Sequence, residues 1–430
     1  MARKHARRND GGQGPLVLLH VGDLHLTGAD APSARDLRAI LDQIGQLPRH
    51  VYDFVYLPGD LAEDGTTAQY DILRDALRAH PSMPIRLIPG DHDKQHGDIE
   101  DFERVFIEIA GSKRGGGHAP IENRLPQPED KRPVHQYYYG EMHAGVKCLF
   151  LDVISAGFGR KGIGLDFRLG AGQTQWLSSE LAAAAESKTP CAVFMHGYPD
   201  DLREPYDRLD IAGLFWSTRV RLVEMGHTHY NELAHDGRTL YATARSVGQN
   251  EDGSAGYAVA AIDGPVTSWR FRALDRTWPF VMITSPADRR VATQPLGRVS
   301  AGMELDGKGR VTVRALVLSD QPPDYCRCRV DTGPWVLMEP TESRCYEARL
   351  PWPEDGRSIQ VEAVDRRWPG HGPDYVDTDV IEPVIGFPDP PLPSCPMPSK
   401  PGSDAFALGP WLQKGVRGDQ LGPNKNGRKW

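Results

Sequence analysis

The chain lacks long apolar runs: nowhere in its 430 residues is there the stretch of roughly 18 apolar residues that a membrane-spanning helix needs. It also lacks an excess of positive charge. The formal net charge is −8, so overall charge gives no case for nucleic acid or an anionic membrane surface as a partner. Cysteine is scarce. Six in a chain this long do not make a disulfide framework, and the expectation is reduced thiols in a cytoplasmic protein. The basic opening MARKHARRNDGGQG is not followed by the apolar stretch of a secretory signal. A GxxxxGK[ST] motif is missing too, which argues against a P-loop nucleoside triphosphatase.

What is present is ordinary in bulk, with 39% hydrophobic and 25% charged residues, and long enough for two or three domains. Apolar strand-like runs alternate with helical spacing through the first half. PLVLLHVGD (15–23), YDFVYLPGD (52–60) and PIRLIPGD (84–91) read as strands. Between them, Leu37, Ile40, Leu41 and Ile44 fall on one helical face, with Ser33 as the expected N-cap. TTAQYDILRDALRAH and DIEDFERVFIEIA read as further helices. Alternating strands and helices predict an α/β layered fold. Residues 111–135 read as a long Gly- and Pro-rich loop, and HQYYYGEMHAGVKCLFLD as a hairpin turning at Glu141 to Gly145. Beyond about 275 the sequence is strand-like and free of helical spacing, which predicts a β-sandwich of immunoglobulin or fibronectin type. The expected divisions are a flexible basic tail (1–14), a catalytic domain (15–275), a β-sandwich (276–385) and a Pro/Gly-rich tail (386–430).

Acidic and imidazole residues gather just after the strands, where open α/β folds place their sites. GDLH supplies Asp23 and His25, PGDLAEDG supplies Asp60, PGDHD supplies Asp91, His92 and Asp93, FMHG supplies His196, and GHTH supplies His227 and His229. Burying so many ionisable groups is costly unless something balances them. Carboxylate and imidazole without thiolate suit Mn, Fe, Zn or Ni. Seven candidate ligands are too many for one tetrahedral ion. They suit two divalent ions bridged by a carboxylate, as in two-metal hydrolases.

The order D-x-H, G-D, G-D-H-D, H, G-H-x-H resembles the calcineurin-like metallophosphoesterases over residues 15–275. GDLAEDG and LDVISAGFGRKGIGLDFRLGAGQTQWLSSEL are similar to the branch with class III cyclic-nucleotide phosphodiesterases and glycerophosphodiesterases. The resemblance implies a four-layer α/β/β/α sandwich. It implies that Asp23, His25, Asp60 and His229 hold one metal, and that Asp60, Asp91, His196 and His227 hold the second. His92 would serve the leaving-group oxygen, with Asp93 orienting it. The implied activity is a phosphodiesterase using a metal-bridging hydroxide, acting on a small phosphate ester such as a cyclic nucleotide or a glycerophosphodiester.

The chain departs from the family in two places. Position 91 is Asp where the family has Asn; the extra charge should tighten cation binding and weaken the pull on an anionic phosphate. The fourth motif reads MHGYPDD, so Tyr198 and Asp200 are expected to face the substrate. Alternatives are a phosphomonoesterase or nuclease of the same superfamily, or a binding or scaffold protein with a degenerate metal site and a protein partner on the β-sandwich. Cys326, Cys328 and Cys345 read as free thiols, Tyr137 to Tyr139 as core, and Lys113, Arg114, Lys131 and Arg132 as a solvated loop.

Overall fold

The computed structural model describes residues 14–94, 100–111, 121–125, 134–155, 166–202, 211–218, 220–235, 238–250, 254–289, 291–293, 305–341, 344–366 and 375–384. Both expected tails and the four loop cations lie outside them, apart from Gly14.

Two mixed sheets form the first part. Leu16–His20 pairs in parallel with Phe54–Leu57, which pairs in parallel with Ile85–Leu87. On its other side Leu16–His20 meets the antiparallel hairpin Gly256–Asp263 and Val266–Ala273. Among the described residues the second sheet has seven strands, with Val146–Phe150, Cys191–Phe194, Val220–Met225 and Leu240–Thr243 running parallel at its centre.

Strand alternation decides what lies between the sheets. Cys148, Phe150, Ala192, Phe194 and Leu222 point to one side and join the first sheet's core, whereas Leu149, Leu151, Cys191, Val193 and Val223 point to the other. Phe150 stacks on Phe194 at 4.5 Å and on Tyr139 at 4.5 Å, and Tyr56 meets Phe194 edge-on at 4.8 Å. The outer side of the second sheet is covered by helix Gly170–Ser187, through Leu177, Leu181 and Ala184. Helices Pro32–Gly45, Thr67–Arg78 and Glu100–Gly111 add Leu37, Ile40, Leu73, Phe102 and Phe106 to the first core.

Three local expectations need correction. The first helix begins at Pro32, whose fixed φ suits the first turn; Ser33 lies inside the helix and its hydroxyl donates to the His25 carbonyl at 3.4 Å. The long loop contains a strand, Ile121–Leu125, paired with Val134–His143. Its IENRL pattern is too short and polar to announce a strand. Within the strand-like stretch beyond 275, WVLMEP (335–340) reads as one strand but forms two short ones in different sheets.

Among the described residues, eight further strands form two four-stranded antiparallel sheets between Phe280 and Ile381. They share an apolar cluster in which Val281, Ile283, Val311 and Val313 face Cys326, Cys328, Ile359 and Val361. Trp278, Phe280, Met282, Leu316 and Leu318 belong instead to the first core, so this region packs directly on the α/β part. Arg344 with Asp53 and Arg314 with Asp263 add ion pairs across that junction.

Candidate metal centre

The loops that follow the parallel strands converge at one end of the two sheets. Leu24 N and His25 N both donate to the Asp60 carbonyl, Leu26 N donates to Leu61 O and Glu63 N to Leu26 O. The first two motifs are thereby zipped together. Asp23 is joined to the fifth motif, because its carboxylate accepts from His227 N at 2.7 Å. His92 N donates to Asp60 Oδ1 at 2.8 Å.

Two groups of four side chains result, each with its ligand atoms within 4.8 Å of one another: Asp23, His25, Asp60 and His229, and Asp60, Asp91, His196 and His227. All seven side chains expected from the motifs are thus brought together. Asp60 belongs to both groups. Its Oδ2 lies 3.6 Å from His25 Nε2 and 3.4 Å from His196 Nε2. Asp91 Oδ1 faces His196 Nε2 at 2.9 Å and His227 Nδ1 at 3.1 Å. His196 donates its other ring nitrogen to the Pro58 carbonyl at 2.8 Å, which leaves Nε2 for the cluster.

Local backbone conformation also marks the place. Four of the seven, His25, Asp60, His227 and His229, have positive φ, between 42° and 74°. Side chains larger than glycine occupy that region at a cost of order 1–3 kcal/mol each, and such strain gathers at functional sites. Glycine is needed beside them. A Cβ on Gly226 would sit 2.4 Å from Asp23 Oδ1, and one on Gly90 would sit 2.2 Å from Asp60 Oδ1.

The residues fit divalent cations. Asp23 Oδ1 is buried and finds no hydrogen-bond donor among the described residues. His25 Nε2 and His229 Nε2 face each other at 3.0 Å. Burial keeps both rings below the usual imidazole value, so both favour the neutral form, and a cation between them would use both lone pairs. In the second group burial is the largest single effect and opposes charging of His196, but Asp60, Asp91 and Asp23 together outweigh it and raise the ring well above its usual value; against the same burial, the bond to Asp91 and the charges of Asp91 and Asp60 together raise His227. Burial likewise works to raise Asp91, but hydrogen bonds from His196 and His227 hold it far below the carboxylate range. Burial pushes the Asp23 carboxyl up. The carboxylates thus draw protons onto the second group's imidazoles, and a metal ion would supply that positive charge instead.

Two expected roles are not met. Asp93 does not orient His92. Its buried carboxylate accepts from Tyr70 OH at 2.6 Å, Gly90 N at 2.9 Å and Leu61 N at 3.2 Å, and burial pushes it up to about 6. His92 Nδ1 instead meets the Glu63 carbonyl at 2.7 Å. Tyr198 does not face a substrate. It is 2% exposed and its hydroxyl donates to the Glu232 carboxylate. The Asp200 side chain lies outside the described residues. Two features were missed. Glu63 sits beside His25 and His92, although GDLAEDG displayed it. Lys94 is wholly buried, with its ammonium on both Asp152 oxygens at 2.7 Å and the Ile154 carbonyl at 2.8 Å.

A family model described as calcineurin-like phosphoesterase matches residues 16–231. The chain belongs to that family. It is accordingly a phosphoesterase with a candidate dinuclear centre. Among solved structures, a dimetal phosphatase from Danio rerio is 14% identical, with 61% of this chain and 97% of that one covered at a TM-score of 0.42. A purple acid phosphatase from yellow lupin is also 14% identical, with 60% and 52% covered at a TM-score of 0.39. No curated protein matches. No helix among the described residues is long and apolar enough to cross a membrane.

Proposed function

We propose that this phosphoesterase hydrolyses phosphodiesters in preference to monoesters, with two divalent ions held by Asp23, His25, Asp60 and His229 and by Asp60, Asp91, His196 and His227. The shared Asp60 carboxylate is the observation that carries the two-ion arrangement. Such ions lower the pKa of water and offset charge on the phosphoryl oxygens. The charge balance supports the diester. Two dications against Asp23, Asp60 and Asp91 leave formally about one positive charge, and the hydroxide that the reaction needs would cancel it, so a singly charged diester adds less excess negative charge than a monoester dianion.

The chain's own residues divide the remaining work. The Glu63 carbonyl accepts a hydrogen bond from His92 Nδ1–H, which leaves Nε2 to deliver or accept a proton at the leaving oxygen. Asp93 braces the turn that carries Asp91 and His92 by accepting from Gly90 and Leu61. Residues 15–275 read as the catalytic unit, and the two C-terminal sheets as a β-sandwich of immunoglobulin or fibronectin type; their separate apolar cluster supports this division. The free, buried Cys148, Cys191, Cys326, Cys328 and Cys345 support a reducing, cytoplasmic setting.

The test compares bis(p-nitrophenyl) phosphate with p-nitrophenyl phosphate, using Mn²⁺ added to chelator-stripped protein. Diester turnover should exceed monoester turnover. His92→Ala should lose about 10²–10⁴-fold in rate while keeping its metal, as removal of a general acid does. Faster monoester cleavage by the wild type would refute the diester preference.

A further inference from the structure

We infer that Glu63 is a positioning residue that fixes two imidazoles of the site at once, His25 through its carboxylate and His92 through its main-chain carbonyl; the inference rests on the two-ion arrangement proposed above. The Glu63 carboxylate lies 2.9 Å from His25 Nδ1, and its carbonyl lies 2.7 Å from His92 Nδ1. The two rings meet edge-on with centroids 4.6 Å apart. A carboxylate and a carbonyl both accept hydrogen bonds and give none. Gln249 Nε2 also lies 3.1 Å from His25 Nδ1, but it has Glu63 Oε2 to donate to at 3.0 Å, so the carboxylate favours the His25 proton on Nδ1, as the carbonyl does for His92. For His25 this leaves Nε2, the nitrogen that faces Asp60 and His229, as the lone-pair donor to a cation.

Glu63 is itself held from two directions. Its main-chain N donates to Leu26 O at 3.1 Å, one residue past His25. Gln249 Nε2 donates to its Oε2 at 3.0 Å, and Gln249 N is bound by Ser246 Oγ, which also reaches the Asp23 carbonyl. His25, Glu63 and His92 are close enough together to hold a third cation. The geometry points to positioning instead, because both Nδ1 atoms already meet Glu63 oxygens. The Glu63 side chain is 29% exposed, so replacing it leaves the core intact.

The experiment titrates chelator-stripped protein with Zn²⁺ by calorimetry, for wild type, Glu63→Gln, Glu63→Ala and Gln249→Ala. Wild type should take up two ions. In Glu63→Ala one ion should weaken by about 10–100-fold, the usual effect of removing a ligand's hydrogen-bond partner, with the other unchanged. Glu63→Gln retains an acceptor oxygen and should recover most of that loss, and Gln249→Ala should show a smaller loss at the same ion. Nitrogen-15 histidine spectra of the zinc-loaded proteins should show His25 and His92 as Nδ1–H in wild type, with only the His25 signal altered in Glu63→Ala. Wild-type affinity for both ions in Glu63→Ala, or equal weakening of both, would overturn the role of Glu63 alone. A wild type that takes up fewer than two ions would overturn the two-ion arrangement and this inference with it.

Discussion

Single side chains define the site, and their identities were almost all visible in the sequence. The five motifs named the seven residues that the fold gathers, because carboxylate and imidazole after apolar strands are costly without a cation. The partners of those residues were not visible. Asp93 follows His92 in the chain, yet its side chain turns to Tyr70 and to main-chain N–H groups, and a carbonyl 29 positions away holds the ring. Sequence adjacency says nothing about such contacts, and the positive φ of His25, Asp60, His227 and His229 left no trace in composition. Asp91 is where the chain's own chemistry should differ from its family's. Asp91→Asn removes one negative charge from the second group while keeping an oxygen. Mn²⁺ affinity there should fall roughly tenfold or more, and monoester turnover should rise relative to diester. Calorimetry and the two chromogenic esters check this; tighter Mn²⁺ binding would contradict it.

At the scale of elements, hydrophobic spacing located the strands and helices because burial on one face enforces it. It failed at Ile121–Leu125, which is short and polar, and at the Ser33 cap, where Pro32 sets the start instead. It also gave no hint of the link between the short helix Asp91–Lys94 and the second sheet. That link is the Lys94–Asp152 pair, wholly buried, with Asp152 N accepted by Gln173 Oε1 at 2.9 Å. A buried pair broken on one side leaves a stranded charge. Lys94→Met should therefore destabilise the protein by about 3–5 kcal/mol, and Lys94→Met combined with Asp152→Leu should recover a good part of it. Guanidinium unfolding of the three proteins measures both effects. A single variant within about 1 kcal/mol of wild type would mean the pair does not hold the turn in place.

Across the whole molecule, the α/β half and the strand-rich half were legible, but their union was not. The sequence breaks near Asp275, whereas the first core runs on through Trp278, Phe280, Met282, Leu316 and Leu318. Periodicity marks a buried face without naming what buries it. Burial also sets the response to alkali. It pushes Cys191, Cys326 and Cys328 up to about 12 and Cys345 up to about 11, from 9.0, and raises Tyr56 and Tyr70 as well. The folded thiols hold their protons longer than the unfolded ones. Stability is therefore at its full value below pH 9 and is lost as pH rises through the folded values near 11 to 12. Denaturant midpoints should be lower at about pH 10.5 than at about pH 8, and a flat profile would mean that these groups are not sealed from water.

Hydrolysis is proposed to depend on the two divalent ions that the groups sharing Asp60 would hold. This dependence is tested most directly by titrating Mn²⁺ into chelator-stripped protein while following cleavage of bis(p-nitrophenyl) phosphate. Turnover should be absent without metal and should rise until about two equivalents are bound, with Asp60→Ala silent throughout. Full turnover at a single equivalent, or without metal, would contradict it.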